Sequence, residues 1–181
     1  MRHPSLDDRF DPAVRIVEYD TAWPAMAVAE MALVEDALGS LVTRVDHVGS
    51  TAVPGMAAKP IVDLQASVVA ISPVEPYAQP LEEVGYLFAP DPDSPDFHFF
   101  GKPAARPRTF HLHICVAGGE DERRHLAVRD YLRAHPEEAR GYGEVKRRLV
   151  ASRPGDRLAY IEGKAEYVAD LERRALDWLN A

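Results

Sequence analysis

Two stretches near the middle of the chain alternate between apolar and polar residues. They are Ile61 to Val69 and Thr109 to Val116. Because successive side chains of a β-strand point to opposite faces, each stretch predicts a strand with one apolar and one polar face. The polar faces carry Asp63, Gln65 and Ser67 on the first strand and His111, His113 and Cys115 on the second. We expect the apolar faces to pack in the core and the polar faces to wall a candidate site.

Four other segments predict short strands. Each is rich in β-branched or aromatic residues and is bounded by glycine, proline or polar residues. The segments are Val14 to Tyr19, Thr43 to Val48, Gly85 to Phe88 and Phe97 to Gly101. The last two are separated by Pro90 to Asp96, a stretch so rich in proline and aspartate that we expect an exposed loop.

Apolar residues at helical spacing predict two early helices and three late ones. The first starts at Trp23-Pro24 and ends before Gly39, and the second is a short helix that prolines frame and that ends at Val84. The late helices are Glu120 to Ala134, one that starts at Pro136 and one that Asp156 caps. This order favours an α+β fold, with a mixed β-sheet flanked by helices and a helical C-terminal third.

The composition indicates one globular domain. The chain has 181 residues, of which 46% are hydrophobic and 28% are charged. A chain of this length buries most of the apolar surface that its unfolded form exposes, and it is short for two ordinary domains. We expect a flexible arm over residues 1–13 and a single domain over residues 14–181.

The charge and the cysteine content exclude several classes of protein. A formal net charge of −8 argues against a protein that coats nucleic acid or an anionic membrane. The arginine pairs of the last third, such as Arg123-Arg124, fit solvated helix faces. No run of about 18 apolar residues occurs, so membrane insertion is not indicated. Cys115 is the single cysteine, which excludes an internal disulfide and favours the cytoplasm.

A polar turn between two predicted strands is the first candidate for chemistry. His47 to Leu64 has the sequence HVGSTAVPGMAAKPIVDL, in which one strand runs into Gly49-Ser50-Thr51. Glycine lets the backbone approach a phosphate closely, and the two hydroxyls can donate hydrogen bonds to phosphate oxygens. Lys59 lies beside this turn and is a further candidate phosphate contact.

Asp63 is the candidate catalytic residue. It begins the polar face of a strand that we expect to pair with the strand before the turn. A carboxylate at this place would hold Mg²⁺ against phosphate oxygens during phosphoryl or nucleotidyl transfer. The alternative is a structural cap or an ion pair with Lys59.

Several motifs together resemble the GrpB family. The first are His47-Val48-Gly49-Ser50-Thr51, Val53-Pro54-Gly55, Lys59-Pro60 and Asp63. Later segments are similar too, namely His111-Leu112-His113, Arg129 to Arg133, His135-Pro136, Tyr142 with Lys146, and Tyr160 with Lys164. The resemblance implies a nucleotidyltransferase-like fold. It also adds His47, Lys146 and Lys164 to the candidate ligand-binding residues, although a solvated helix face is the alternative for both lysines.

The chain departs from the nucleotidyltransferase pattern of two alternating carboxylates on the strand after the turn. Asp63 matches the first carboxylate, but the second position is Gln65, a poor partner for a divalent ion. His111 and His113 occupy the strand that would supply a third carboxylate. Asp63 with either histidine suits Zn²⁺, Mn²⁺ or Fe²⁺ better than Mg²⁺. The alternatives are histidines that bind an anionic ligand and histidines that form hydrogen bonds within the protein.

These features predict a protein that binds a nucleotide or another phosphorylated small molecule, with metal-dependent nucleotidyl or phosphoryl transfer as the candidate activity. One alternative is a non-catalytic accessory module linked to coenzyme A metabolism, since some GrpB relatives are joined to dephospho-CoA kinase. Gln65 favours it. The other is a metal-dependent hydrolase that uses Asp63 and the histidine pair. If the two strands share a sheet, strand parity requires the side chains of Asp63, His111 and His113 to converge on one cleft.

Overall fold

The computed structural model describes residues 14–90, 97–103 and 107–181. Within these ranges the chain forms five strands and five helices. The strands are β1 (Val42–Val48), β2 (Val62–Val68), β3 (Leu87–Phe88), β4 (Phe97–Lys102) and β5 (Phe110–Val116). The helices are α1 (Trp23–Leu38), α2 (Glu75–Glu83), α3 (Glu120–Ala134), α4 (Pro136–Ser152) and α5 (Arg157–Leu179). The predicted arm over residues 1–13 and the predicted loop over residues 91–96 lie outside the described residues.

The five strands form one mixed sheet in the order β1-β2-β5-β4-β3. Strands β2 and β5 are parallel, and the other neighbouring pairs are antiparallel. The predicted α+β fold, with a mixed sheet flanked by helices and a helical C-terminal third, is confirmed. Asp156 caps α5 as expected, because its carboxylate accepts a hydrogen bond of 3.0 Å from the Ala159 amide.

The apolar faces of β2 and β5 form the centre of the main core. Leu64, Ala66, Leu112 and Ile114 are fully buried there. They pack against apolar side chains of α1 and α2. The opposite face of the sheet carries the polar side chains, so the alternation in the sequence sorts the two faces as predicted.

The last three helices cover the polar face of the sheet. Helix α3 reaches that face through His125, which contacts Gln65 of β2. A second apolar cluster, with Leu132, Tyr142 and Leu171 among its members, holds α3, α4 and α5 together. Every helix of the described ranges is too short or too polar to span a bilayer.

The predicted strand at Val14 to Tyr19 is wrong. Only Val17 pairs, in an isolated bridge to Ala58 with two backbone hydrogen bonds of 2.9 and 3.0 Å. The pairing cannot extend in one direction, because Pro60 has no amide hydrogen to donate. It cannot extend in the other direction, because the Met56 amide already donates to Val53 in a turn.

Candidate functional site

An aspartate and a histidine from adjacent parallel strands form the centre of the candidate site. The parallel register places Asp63 beside His111 and Gln65 beside His113. His111 Nδ1 donates to Asp63 Oδ1 at 3.0 Å. The side chain of Asp63 keeps 29% of its surface accessible, so a solute can reach it. The expected convergence of Asp63, His111 and His113 on one face of the sheet is observed, and their functions stay predictions.

Asp63 is held as a carboxylate. Burial favours its neutral form, but the hydrogen bond from His111 and the electrostatic interactions with His111, His113 and Lys59 favour the carboxylate. Together these groups hold the pKa of Asp63 well below its usual range. The site therefore contains a permanent negative charge over the whole physiological pH range.

Gly49 lets the polar turn pack directly on Asp63. It has φ 68° and ψ −169°, a conformation that is essentially restricted to glycine. A Cβ atom on Gly49 would lie 2.7 Å from Asp63 Oδ2 and 3.0 Å from Asp63 Cβ. The glycine of the Gly49-Ser50-Thr51 turn is thus needed both for the backbone conformation and for contact with the carboxylate.

Two arginines of α3 fix the polar turn from both ends. Arg129 donates to the carbonyl oxygen of His47 at 3.3 Å, before the turn. Arg133 donates to the carbonyl oxygen of Ala52 at 2.9 Å, after it. Arg129 is itself held by Asp130, through hydrogen bonds of 2.7 and 3.0 Å. The turn is therefore anchored by side chains that lie about 80 residues further along the chain.

Three lysines gather on the same side of the sheet as Asp63. Lys59 and Lys164 lie 5.4 and 5.5 Å from the centre of one aromatic ring, that of Tyr160. Lys146 lies 4.6 Å from the centre of the Tyr142 ring. The chain has only four lysines, so three of them share this cleft in a protein of net charge −8. The cleft combines three amines with one carboxylate, which favours an anionic ligand.

Lys146 is the most unusual of the three lysines. Its side chain is buried, with 2% of the residue surface exposed, and Nζ donates to Ser50 Oγ at 2.8 Å. Burial, together with the charges of Lys164 and Lys59, lowers the pKa of Lys146 to about 7. Burial also lowers the pKa of Lys164. At neutral pH Lys146 therefore exists in both its charged and its neutral form.

The low pKa of Lys146 predicts a stability that depends on pH. Between pH 7 and about 10.4 the unfolded chain binds a proton that the folded chain does not, so the stability contribution of Lys146 rises with pH. Relative to Lys146→Met, the wild type should gain about 1.4 kcal/mol of unfolding free energy for each pH unit in that window. Urea unfolding of both proteins at pH 7, 8 and 9 measures this difference. Parallel profiles would show that Lys146 titrates normally.

His47 and Thr51, both predicted ligand contacts, instead contact each other. His47 Nε2 and Thr51 Oγ1 form a hydrogen bond of 2.9 Å, and Thr51 is 1% exposed. Burial lowers the pKa of His47 to about 4, so the imidazole is neutral at physiological pH. The pair stabilises the turn from inside. Thr51 is buried in this conformation, and the ligand contact predicted for His47, which is partly exposed, stays a prediction.

The second half of the polar strand face is closed rather than open. Gln65 and Ser67 are fully buried, and Gln65 Oε1 accepts a hydrogen bond of 2.6 Å from His125 Nδ1. The ring of His113 lies 5.3 Å from that of His125. Burial lowers the pKa of His113 to about 4 and that of His125 to about 3, so both imidazoles are neutral. The part of the predicted wall formed by Gln65 and Ser67 is therefore covered, whereas Asp63 keeps part of its surface accessible.

The described residues do not assemble a metal centre around Asp63. No three or more His, Cys, Asp or Glu side chains of the described ranges are arranged to hold a metal ion. Asp63 uses one oxygen for His111, and Gln65 is turned to His125. The described residues therefore do not form a preassembled metal site, and binding of Mg²⁺, Mn²⁺ or Zn²⁺ by Asp63, His111 and His113 stays a prediction.

The sequence motifs leave several parts of this site unassigned. His125, Arg129 and Arg133 lie on α3. Most residues of this helix are polar, so its sequence is typical of a solvated helix. Tyr142 and Tyr160 are part of the family motif, but the motif gives them no task. In the structure both are buried, and their rings lie beside the lysines. Two surface cavities of about 430 and 520 Å³ lie elsewhere, against α4 and α5 and beside the start of α3. Side-chain chemistry, not cavity size, locates the candidate site.

Comparison with known proteins gives a consistent result. A family model described as "GrpB protein" matches residues 13–174. A UPF0157 protein of Pseudomonas aeruginosa is 38% identical over 169 residues, which are 92% of this chain and 69% of that protein. A crystal structure of the conserved protein GrpB from Enterococcus faecalis superposes with a TM-score of 0.85 at 31% identity, and covers 92% of this chain and 100% of that one.

One relative whose name states an activity is longer than this chain. It is named dephospho-CoA kinase, from Mycolicibacterium paratuberculosis, and is 32% identical over 192 residues. The match covers 93% of this chain but 47% of the kinase, so the chain spans about half of that protein.

Proposed function

The chain belongs to the GrpB family, and we propose that its Asp63 cleft binds a phosphorylated small molecule, with nucleotides as the first candidates. The observation that carries this proposal is the gathering of Lys59, Lys146 and Lys164 around a single carboxylate. Ammonium groups partly removed from water interact strongly with phosphate oxygens. Transfer of a nucleotidyl or phosphoryl group by a metal, and hydrolysis by a metal, receive no support from the arrangement of the donors.

Each part of the cleft has a defined task in this proposal. The lysines neutralise phosphate charge. When Lys146 is protonated, its ammonium group contacts the ligand, and the hydroxyl of Ser50 donates a hydrogen bond to a phosphate oxygen. Asp63 accepts a hydrogen bond from His111, and its carboxylate opposes the lowering of the pKa of Lys146 and of Lys164 by burial. The glycine turn brings the backbone close to the ligand.

Melting curves with pyrophosphate, ATP and coenzyme A test the proposal. A ligand that binds only the folded state, at a concentration about 100 times its Kd, stabilises by about 2.7 kcal/mol. For a chain of this size we expect the melting temperature to rise by roughly 5 to 10 °C. EDTA should leave the shift unchanged. A shift that EDTA abolishes and Mn²⁺ restores would contradict the metal-free site, and no shift with any of the three would contradict phosphate binding.

A second candidate is a non-catalytic module linked to coenzyme A metabolism. Its support is the relative named dephospho-CoA kinase, in which a segment similar to this whole chain makes up about half of the protein. A second such kinase, from Mycobacterium leprae, is 29% identical over 196 residues. On this hypothesis coenzyme A or its dephosphorylated form raises the melting temperature more than ATP or pyrophosphate does. Equal shifts for all three favour the general phosphate site.

A further inference from the structure

The contact between Ser50 and Lys146 has features that phosphate binding alone does not require. A lysine that only neutralises phosphate works best as a permanent cation, because a neutral amine has no charge to offer. Lys146 is instead almost completely buried, and its amine lies 2.8 Å from the hydroxyl of Ser50. Among the residues that the structure describes, it forms no ion pair with a carboxylate. In its neutral form, a buried amine at this distance can accept the proton of the Ser50 hydroxyl.

Ser50 is placed as a nucleophile would be. It follows Gly49, whose φ of 68° turns the chain sharply at the end of β1. It is half-buried, so it is more accessible than the lysine behind it. The clamp of Arg129 and Arg133 fixes the backbone on both sides of the turn. A partly exposed hydroxyl on a fixed turn, with a buried amine 2.8 Å away, matches the requirements of covalent catalysis.

We infer that Ser50 and Lys146 form a nucleophile and base pair that cleaves an ester or thioester carrying a phosphate group. This inference deepens the proposed function, since Lys59 and Lys164 would hold the phosphate of the substrate beside Ser50. The site is thus assigned to acyl transfer, which needs neither a metal nor a redox partner.

The steps balance as follows in protons and bonds. Ser50 Oγ attacks the carbonyl carbon while its proton passes to Lys146 Nζ, and a tetrahedral intermediate forms. The bond to the leaving oxygen or sulfur breaks, and the Lys146 ammonium returns the proton to the leaving group. Water then attacks the acyl-Ser50 carbonyl and gives a proton to Lys146, which returns it to Ser50 Oγ. The products are a carboxylic acid and an alcohol or a thiol.

A fluorophosphonate probe tests the pair directly, because it phosphonylates activated serines with loss of fluoride. Intact mass and peptide mapping of the wild-type chain should show one adduct, on Ser50. Ser50→Ala should abolish the adduct, and Lys146→Met should slow its formation by about 100-fold, the usual contribution of a general base. Ser152→Ala is the control, since the hydroxyl of Ser152 is exposed and donates to a backbone carbonyl.

Two measurements show whether Lys146 acts as a base or has only a structural role. They are the pH dependence of the labelling rate and the behaviour of Lys146→Arg. The charged groups that face Lys146 are Asp63, Lys59, Lys164 and Arg147, and its nearest ring is Tyr142. The labelling rate of the wild type should rise as the pH increases through 7, because the amine of Lys146 loses its proton. The labelling rate of Lys146→Met should not show this rise. Lys146→Arg keeps the positive charge but has no lone pair at this pH, so it should bind pyrophosphate and label slowly.

Each outcome decides one of the two hypotheses. A wild-type protein that binds pyrophosphate but forms no adduct on Ser50 overturns the nucleophile and leaves the phosphate site intact. An adduct on Ser50 without pyrophosphate binding supports the nucleophile and contradicts the phosphate site. Equal labelling rates in wild type and Lys146→Met, both folded by circular dichroism, overturn the role of Lys146.

Discussion

Gly49→Ala is expected to lower the free energy of unfolding by about 2 to 6 kcal/mol. The conformation of Gly49 costs a residue with a side chain about 1 to 3 kcal/mol. The added methyl would also lie 2.7 Å from Asp63 Oδ2, and overlap of this kind in a packed region costs about 1 to 3 kcal/mol more. Urea unfolding measures the loss. The same displacement of Asp63 should abolish binding of pyrophosphate in the fraction that still folds.

Gly55→Ala is the matched control for Gly49→Ala. Gly55 also has a positive φ, of 76°, but a Cβ atom there would meet nothing within 4 Å. Its replacement should cost about 1 to 2 kcal/mol, from backbone strain alone. Equal losses in the two variants would show that the contact between Gly49 and Asp63 does not limit the stability of the turn.

Lys146→Met is expected to weaken pyrophosphate binding by about 10- to 100-fold. A hydrogen bond to a charged group contributes about 1.5 to 3 kcal/mol, and Lys146 makes its contact in a place of low dielectric. Lys164→Met should have a similar effect. Calorimetric titration measures both affinities, and the affinity of the wild type should fall as the pH rises above 7, because Lys146 then loses its charge.

The stability of Lys146→Met separates loss of function from loss of fold. Methionine fills about the same volume without a buried amine, so the unfolding free energy at pH 7 should be unchanged or higher. Arg173→Met is the control, because Arg173 is exposed on α5 and pairs with Asp170 and Asp177. It should bind as the wild type does. If Arg173→Met loses as much affinity as Lys146→Met, binding follows the overall charge and not the cleft.

The alternation of apolar and polar residues is sufficient to predict the faces of β2 and β5. The period of a strand is two, so Leu64 and Asp63 must point to opposite sides wherever the strand lies. The same pattern cannot tell how the polar face is covered. Gln65 and Ser67 look like an open wall in the sequence, yet they are buried because α3 packs over them with His125.

The lysines of the site show a different limit of sequence reasoning. Lys146 and Lys164 lie on α4 and α5, far along the chain from Asp63. A charged residue on a helix is usually solvated, and periodicity alone cannot show that a particular lysine faces another element. Only the family motif pointed to them. Their burial depends on the packing of α3, α4 and α5 against one another, which is a long-range property of the chain.

The early part of the chain shows how local signals fail. Val14 to Tyr19 has the composition of a strand, but a strand also needs a partner with free backbone groups. Pro60 and the turn at Met56 remove those groups on either side of Ala58, so a single bridge forms. Pro60, which lies in the partner segment, helps to prevent a longer strand. The sequence of Val14 to Tyr19 alone cannot show this.

The most direct test of the central claim is a crystal structure of the protein grown with pyrophosphate. We expect pyrophosphate in the Asp63 cleft, with phosphate oxygens within about 3.2 Å of Nζ of Lys59, Lys146 or Lys164 and of Ser50 Oγ. Pyrophosphate bound only at the exposed arginines of α5, or an empty cleft at saturating pyrophosphate, would contradict phosphate binding by these residues.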